Sequence, residues 1–296
     1  MALLHLAHAR GELELHAIHL DHETRQGQST SDAEFVRQAC GEMQIPLALS
    51  RRSELEPLTR DLPANTQARF RELRLMLYRQ AVTEHGLQGV LQAHHADDQA
   101  ETILMRLIRG TGIEGLGGIP AESQMGELRI LRPLLGARKV ELQSYLRQRR
   151  LKWREDSSNL SPKYHRNQVR QLLSRHADLV PALLHVQKHF AALLEELDSL
   201  SPALGDRLPF AVLAKLHPLV QLHVLRRWAI SRGASSTDLT LALVKSVRLM
   251  FEDMASGPSV SLPGAIEVRR RSGALFTKES APVVHRDGAP GRADPS

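Results

Sequence analysis

Acidic and imidazole side chains are concentrated in one short stretch of the chain. Two histidines, two aspartates and a glutamate lie within residues 94–101, namely His94, His95, Asp97, Asp98 and Glu101. On helical spacing, one face is shared by His94, Asp98, Glu101 and Thr102. Negative charge gathered in this way is costly unless a cation or a basic group meets it. The stretch therefore predicts that positive charge lies opposite these carboxylates.

A metal centre is one interpretation of this cluster, with His94, His95 and Asp98 as its ligands. Adjacent histidines do not easily reach the same ion, so the spacing disfavours zinc. Magnesium carried in with a nucleotide remains compatible with it. Each acidic residue also has a plain structural explanation, because helix starts attract Asp and Glu through the helix dipole. No residue is therefore assigned firmly to a metal.

Two pairs of arginines could supply the opposing positive charge. Arg71 and Arg74 share a face of the helix predicted after Asn65, although the spacing alone somewhat favours a solvated face. Arg166 and Arg170 lie one helical turn apart, and their guanidinium groups suit binding to a phosphate or a carboxylate.

A third basic group, Arg147, Arg149 and Arg150, is compatible with either a solvated face or phosphate contact. The net charge of +6 and the pI near 9.8 fit a polyanionic partner without establishing one.

Strands and helices alternate in the half of the chain that must position these residues. Apolar runs predict strands at residues 13–20, 45–49 and 87–93. Between them, Ser31 and Glu34 form a predicted capping box, and Asn65 is predicted to cap a long helix. This alternation predicts an α/β fold built on a doubly wound parallel sheet. The acidic cluster follows the third strand, at the sheet edge where such folds bind ligands.

The pattern becomes mainly helical after the glycine-rich residues 110–118. Residues 136–151 predict a basic amphipathic helix, and residues 178–254 are rich in leucine with a helical period. Two strands are predicted around a turn at Pro263 and Gly264, and the tail from Ser280 is predicted to be disordered. We therefore predict domains at 1–177 and 178–279, followed by a tail at 280–296.

Composition excludes several classes of protein. Cys40 is the single cysteine, which rules out a disulfide framework and a multi-cysteine zinc or iron–sulfur site within one chain. No stretch approaches the roughly 18 apolar residues of a membrane span, and no signal peptide is recognisable. The chain is predicted to be cytoplasmic, with no membrane partner.

Several strings together closely resemble the tRNA(Ile)-lysidine synthases, a family of PP-loop ATP pyrophosphatases. The strings are Ala93-His-His-Ala-Asp-Asp-Gln-Ala-Glu-Thr, Arg106-Leu-Ile-Arg-Gly-Thr-Gly-Ile-Glu-Gly-Leu, Arg132-Pro-Leu-Leu, Trp153 to Asn159, and Tyr164-His-Arg-Asn-Gln-Val-Arg. Two weaker matches are His19-Leu-Asp-His22 and Ala68-Arg-Phe-Arg-Glu-Leu-Arg74. The resemblance extends over almost the whole chain before the tail.

The resemblance implies an enzyme that uses ATP to adenylate C2 of the wobble cytidine in a tRNA(Ile) with a CAU anticodon. L-lysine then displaces AMP to give lysidine. It implies ATP and Mg²⁺ as cofactors, an ATP-binding domain at 1–177 and a helical tRNA-binding domain at 178–279. Whether the chain forms a homodimer is left open.

Residue roles follow from the same resemblance. Asp98 is the predicted catalytic carboxylate. Arg71 or Arg74 would hold the ATP phosphates or the adenylate, and Arg166 or Arg170 would complete the site. Contacts to ATP or Mg²⁺ are assigned to His22, His94, His95, Asp97 and Glu101.

The sequence departs from the family pattern before its first residue. The family's phosphate loop, Ser-Gly-Gly-x-Asp-Ser, and the central strand that feeds it do not occur in it. Such a strand would contribute on the order of 5–10 kcal/mol, comparable with the stability of a whole domain, and its loss would leave two strand edges unpaired. We therefore expect the natural product to begin upstream. In-frame codons for the loop would support this expectation, and an immediate stop codon would contradict it.

Two other functions are compatible with parts of the sequence. One is a catalytically inactive remnant that still binds tRNA, although the intact Asp98 and arginine pairs weigh against decay. The other is a PP-loop enzyme that thiolates tRNA, which fits poorly because those enzymes generally need several cysteines. ATP–pyrophosphate exchange with tRNA(Ile) and lysine distinguishes an active ligase from a remnant.

Overall fold

The computed structural model describes residues 1–23, 28–59, 62–154, 165–235, 238–253 and 257–279. The chain divides into two compact units, Met1–Ala191 and Ala192–Ser296. The boundary predicted near residue 177 remains a prediction. The predicted tail from Ser280 and most of the family string from Trp153 to Asn159 lie outside the described residues.

The first unit alternates strands and helices in its first half. Its helices are α1 (Ala2–His8), α2 (Gln28–Glu42), α3 (Arg52–Leu55), α4 (Thr66–Glu84), α5 (Ala96–Ile108), α6 (Ile113–Leu116), α7 (Lys139–Gln148), α8 (His165–Arg175) and α9 (Leu179–Ser199), which crosses the unit boundary. Its strands are β1 (Ala17–Asp21), β2 (Leu47–Arg51), β3 (Val90–Leu91), β4 (Glu122–Met125) and β5 (Leu128–Leu131).

The parallel strand pairs confirm the predicted α/β class. β1 pairs with β2 in parallel, and β3 pairs in parallel with β5, which continues as an antiparallel hairpin with β4. In the described part of the chain, these strands form two separate sheets, and β1 and β3 are each paired along one edge.

Helix α4 packs against both of these sheets. Its Leu73 and Leu77 share a buried cluster with Leu20 of β1. Leu75, on another face of the same helix, shares a second cluster with Ile130 of β5. The helix that carries the predicted phosphate-binding arginines is therefore fixed by two separate cores.

Local signals predicted some element boundaries correctly. The Asn65 side chain accepts hydrogen bonds from the backbone N–H groups of Gln67 (3.0 Å) and Ala68 (3.1 Å), which confirms the predicted cap. The capping box predicted at Ser31 is wrong, because α2 already begins at Gln28. Strand β3 is shorter than predicted, and the sequence analysis missed the β4–β5 hairpin.

The second unit combines helices with an antiparallel sheet. Its further elements are β6 (Arg207–Pro209), α10 (Phe210–Leu213), α11 (Pro218–Ser231), α12 (Leu241–Glu252), β7 (Ser259–Leu262), β8 (Ile266–Arg271) and β9 (Ala274–Glu279). The strand order is β6-β9-β8-β7, with β7 and β8 joined through the predicted turn at Pro263 and Gly264. Trp228 is completely buried, and its indole Nε1 donates to the Gly205 carbonyl at 3.0 Å. No helix in the described ranges has the length and apolarity needed to cross a membrane.

Candidate active site

The acidic cluster lies at the first turn of α5, directly after β3. His95 is the N-cap residue, and its backbone N–H donates to Asp98 Oδ2 at 3.0 Å. Asp98 is itself buried. His94 precedes the helix, so the expectation that it shares a helical face with Asp98 is wrong.

Two arginines of α8 meet the carboxylates of α5. Arg166 donates from Nε to Glu101 at 2.6 Å and from Nη2 to Asp98 at 2.8 Å. Arg170 donates from Nε to the other Glu101 oxygen at 2.6 Å, and its Nη2 lies 3.7 Å from Asp98. The structure therefore brings together four of the predicted site residues, and Glu101 bridges the two guanidinium groups.

An apolar core packs α5 against α8 beside these ion pairs. Its buried members are Ala100, Ile103, Val169, Leu173, Val180 and Leu183. Leu107 and Ile108, further along α5, are 43% and 69% exposed.

Asp97 points to a different partner, at the start of α7. Arg138 donates to Asp97 from Nη2 at 3.0 Å and from Nε at 3.2 Å. The Lys139 backbone N–H donates to the same carboxylate at 2.6 Å. Burial alone would raise the pKa of Asp97, but these hydrogen bonds outweigh it and lower the pKa. Asp97 therefore joins the N-termini of α5 and α7.

His22 follows β1 and stacks on Phe70 of α4, with ring centroids 4.2 Å apart. Burial, followed by the nearby Arg74 guanidinium, lowers the pKa of His22 to about 4. Burial is also the main reason that the pKa of His94 is lowered. The charge of Asp98 raises this pKa, and the charges of Arg132 and Arg166 lower it further. Both imidazoles are therefore neutral at pH 7.

The arginines of α4 lie apart from the ion-pair cluster. Arg71 and Arg74 are exposed, and within the described ranges neither pairs with Asp98 or Glu101. The Arg71 Nη2 lies 3.9 Å from the Met125 sulfur. The structure does not bring this pair into contact with the α8 pair.

Sequence reasoning missed two arginines that line the same region. Arg132 donates from Nη1 to Ser123 at 2.7 Å and to the Pro120 carbonyl at 3.0 Å, and burial followed by the charge of Arg71 lowers its pKa. Arg138 was missed because only the fold places it against Asp97. The family string Arg132-Pro-Leu-Leu was the available signal for Arg132, and for Arg138 there was only the general prediction that positive charge lies opposite the acidic cluster.

No group of three His, Cys, Asp or Glu side chains in the described ranges is placed to hold a metal ion. The three carboxylates of the cluster all accept hydrogen bonds from arginine or backbone N–H groups. In the described ranges, the charge of these carboxylates is therefore met by guanidinium and backbone N–H groups.

Comparison with protein-family models assigns both halves of the chain. Residues 1–177 match the model of the PP-loop domain. The chain belongs to the PP-loop family. Residues 208–276 of this PP-loop protein match the model of the TilS substrate binding domain.

Its relatives include several proteins named tRNA(Ile)-lysidine synthase. The protein of Solibacter usitatus is 35% identical over 64% of this chain, that of Ralstonia nicotianae 32% over 87%, and that of Coxiella burnetii 29% over 92%. These matches cover 42%, 56% and 62% of the three relatives, so this sequence spans about half of their length.

A solved structure with the same fold is the U34-tRNA thiolase NcsA from Methanococcus maripaludis, described with its [4Fe-4S] cluster. It is 17% identical to this PP-loop protein, with a TM-score of 0.52, and the match covers 66% of this chain and 67% of that one. This likeness concerns the fold alone.

Proposed function

We propose that this PP-loop protein carries out the ATP-dependent ligation of lysine to C2 of the wobble cytidine of tRNA(Ile) with a CAU anticodon, giving lysidine. The observation that carries the proposal is the ion-pair cluster of Asp98, Glu101, Arg166 and Arg170 at the end of β3. It occurs in a PP-loop domain that is followed by a match to the TilS substrate binding domain. The names of the relatives support the same reaction.

In the first proposed step, the O2 atom of the cytidine attacks the α-phosphorus of ATP. A new oxygen–phosphorus bond forms, the bond to the β-phosphate bridge breaks, and pyrophosphate leaves, so that the tRNA is adenylated. Negative charge accumulates on the phosphate oxygens during this step. We assign its stabilisation to Arg166 and Arg170, with Arg71 or Arg74 on the phosphates, because positioned cations lower the barrier to such displacements.

In the second proposed step, an amine of L-lysine attacks C2 after losing a proton to solvent. The bond between C2 and the oxygen breaks, and AMP leaves with that oxygen. We propose that Asp98 accepts a hydrogen bond from the lysine ammonium and orients it. Because Asp98 is fixed by Arg166 and the His95 backbone N–H, its position is set before the substrate arrives.

The remaining residues of the cluster have supporting roles in this proposal. His22, His94 and His95 are assigned to the nucleotide. Asp97 and Glu101 are assigned an indirect role, in which each positions the arginines that contact the nucleotide. The carboxylates of Asp97, Asp98 and Glu101 do not fit a dedicated magnesium site, since each accepts hydrogen bonds from arginine or backbone N–H groups. We propose that Mg²⁺ arrives bound to the ATP phosphates, and neither step above depends on it.

The test is ATP–pyrophosphate exchange and AMP release with a tRNA(Ile) transcript and lysine. We expect the protein to catalyse both. Asp98→Asn and Glu101→Gln should each lower the rate by about a hundredfold. Glu122→Gln, which removes an exposed carboxylate of the same unit, serves as the matched control.

Two outcomes would contradict the ligase. Wild-type rates in Asp98→Asn would remove the proposed role of the cluster. Retained tRNA binding without exchange would favour the inactive remnant.

A further inference from the structure

The C-terminal end of α7 and the residues after it carry a dense run of positive charge. Five of the eight residues 147–154 are cationic and none is acidic, in the string Arg147-Gln-Arg-Arg-Leu-Lys-Trp-Arg. All five cations of this basic run are exposed. Like charges so close together repel one another, and a polyanionic partner would relieve that repulsion.

Arg150 has a backbone conformation that is uncommon for a residue with a side chain. Arg150 follows the end of α7 with a φ of +56°, in the left-handed region that glycine adopts without strain. The residue in this position is glycine after α4, α5 and α11, at Gly86, Gly110 and Gly233, and it is Gln44, with a φ of +55°, after α2. At α7 the chain therefore keeps a long cationic side chain where glycine would be unstrained, and this cation belongs to the basic run.

An aromatic hollow adjoins the basic run. Its volume is about 480 Å³, and it is lined by Phe35, Leu151, Lys152, Trp153 and Arg154. Arg154 anchors its rim to α2, since its Nε lies 2.8 Å from Asp32 and its Nη1 donates to the Ser31 carbonyl at 3.0 Å. Aromatic rings on which bases stack, next to cations that meet phosphates, are the arrangement by which proteins bind single-stranded nucleic acid.

We propose that this surface binds an RNA strand. Phosphates contact Arg147, Arg150 and Lys152, and one unpaired base enters the hollow between Phe35 and Trp153. The inference rests on the proposed function, which makes the RNA a tRNA. The first turn of α7 is tied to Asp97, and its ten residues place the run about 15 Å along the helix. The run therefore contacts the tRNA away from the reacting nucleotide.

The experiment measures binding of a tRNA(Ile) transcript to the full chain, without ATP or lysine, as a function of salt. Arg150→Gly should weaken binding by about threefold to tenfold and reduce the slope of log affinity against log salt by about 1. Because glycine relieves the strained backbone, the same variant should unfold at an equal or higher temperature. If Arg150 had only a structural role, its replacement would not weaken RNA binding while leaving the unfolding temperature equal or higher.

Gln44→Gly is the matched control. Gln44 has a φ of +55° outside the basic run, so glycine relieves the same strain there without removing a cation. We expect its melting temperature to respond as in Arg150→Gly while its RNA affinity stays unchanged.

Trp153 reports on the hollow directly. The chain has two tryptophans, and Trp228 is completely buried, so quenching of fluorescence by RNA should come from Trp153. Trp153→Phe should abolish the quenching, and Trp153→Ala should lower the affinity by about tenfold.

Unchanged affinity and salt slope in Arg150→Gly, or quenching that survives Trp153→Phe, would overturn the proposal. Such a result would leave the ligase intact if lysidine still forms. Conversely, binding with the expected variant effects but no pyrophosphate exchange would refute the ligase and not this surface.

Discussion

At the scale of single residues, the carboxylates of α5 are sorted between two partners. Asp98 and Glu101 face the arginines of α8, whereas Asp97 faces Arg138 at the start of α7. Adjacent residues on a helix point about 100° apart, so Asp97 and Asp98 face different helices. The first turn of α5 therefore positions both the arginines of α8 and the start of α7.

Asp97→Asn should weaken the joint between α5 and α7. The pKa of Asp97 in the folded protein is lower than its unfolded value of about 3.9. The ionised carboxylate therefore contributes fully to the free energy of unfolding above about pH 4. This contribution is lost as the pH falls through the folded pKa. We expect the variant to be less stable by about 1 kcal/mol at pH 7, a modest value because both side chains are partly exposed.

Urea unfolding at pH 7 and at pH 2–3 measures this effect. The difference in the free energy of unfolding between wild type and variant should be smaller at the lower pH. Glu122→Gln is the control, since the exposed Glu122–Arg129 pair should contribute little at either pH. A constant difference across the pH range would show that the charge of Asp97 does not stabilise the fold.

At the scale of elements, side chains from two helices hold the glycine-rich segment after α5. Gln99 exchanges two hydrogen bonds with the backbone of Ile119, at 2.6 and 2.7 Å. Arg106 donates to the carbonyls of Gly115 and Gly118, and Gln187 of α9 donates to that of Gly117. The segment is therefore an ordered loop, and its shape depends on the contacts of α5.

Gly118→Ala should disrupt this loop. Gly118 has a φ of +80°, and an added Cβ would collide with the Gln99 side-chain oxygen that bonds to Ile119. We expect the free energy of unfolding to fall by about 2–4 kcal/mol, because the strain of a left-handed backbone adds to the clash.

Gly126→Ala is the matched control, because Gly126 has a φ of +64° but nothing lies within 4 Å of the added atom. It should lose only about 1 kcal/mol from backbone strain. Thermal unfolding of the two variants measures the comparison, and equal losses would show that the contact with Gln99 is not required.

At the scale of the whole molecule, each compact unit buries its own core. In the first unit Leu73, Ile103 and Ile130 are almost completely buried, and in the second Trp228 and Leu275 are. The chain also has one tryptophan in each unit, Trp153 and Trp228. Separate cores favour separate unfolding transitions.

The Trp153→Phe variant leaves Trp228 as a reporter of the second unit. We expect its fluorescence midpoint in urea to differ from the midpoint of circular dichroism, which reports helices of both units. Coincident midpoints, with a single slope that fits the whole chain, would contradict independent unfolding.

The sequence by itself determined the family strings, the α/β class and the cap at Asn65, because these depend on residue type and on contacts within a few positions. It also indicated that cations must meet the acidic cluster, since buried carboxylates require compensation. Only the tertiary structure decided which cations they are. Arg166 and Arg170 lie more than 60 residues from their carboxylates, and Arg138 lies 41 residues from Asp97. Such pairings depend on how α5, α7 and α8 pack, and spacing along the chain does not encode them.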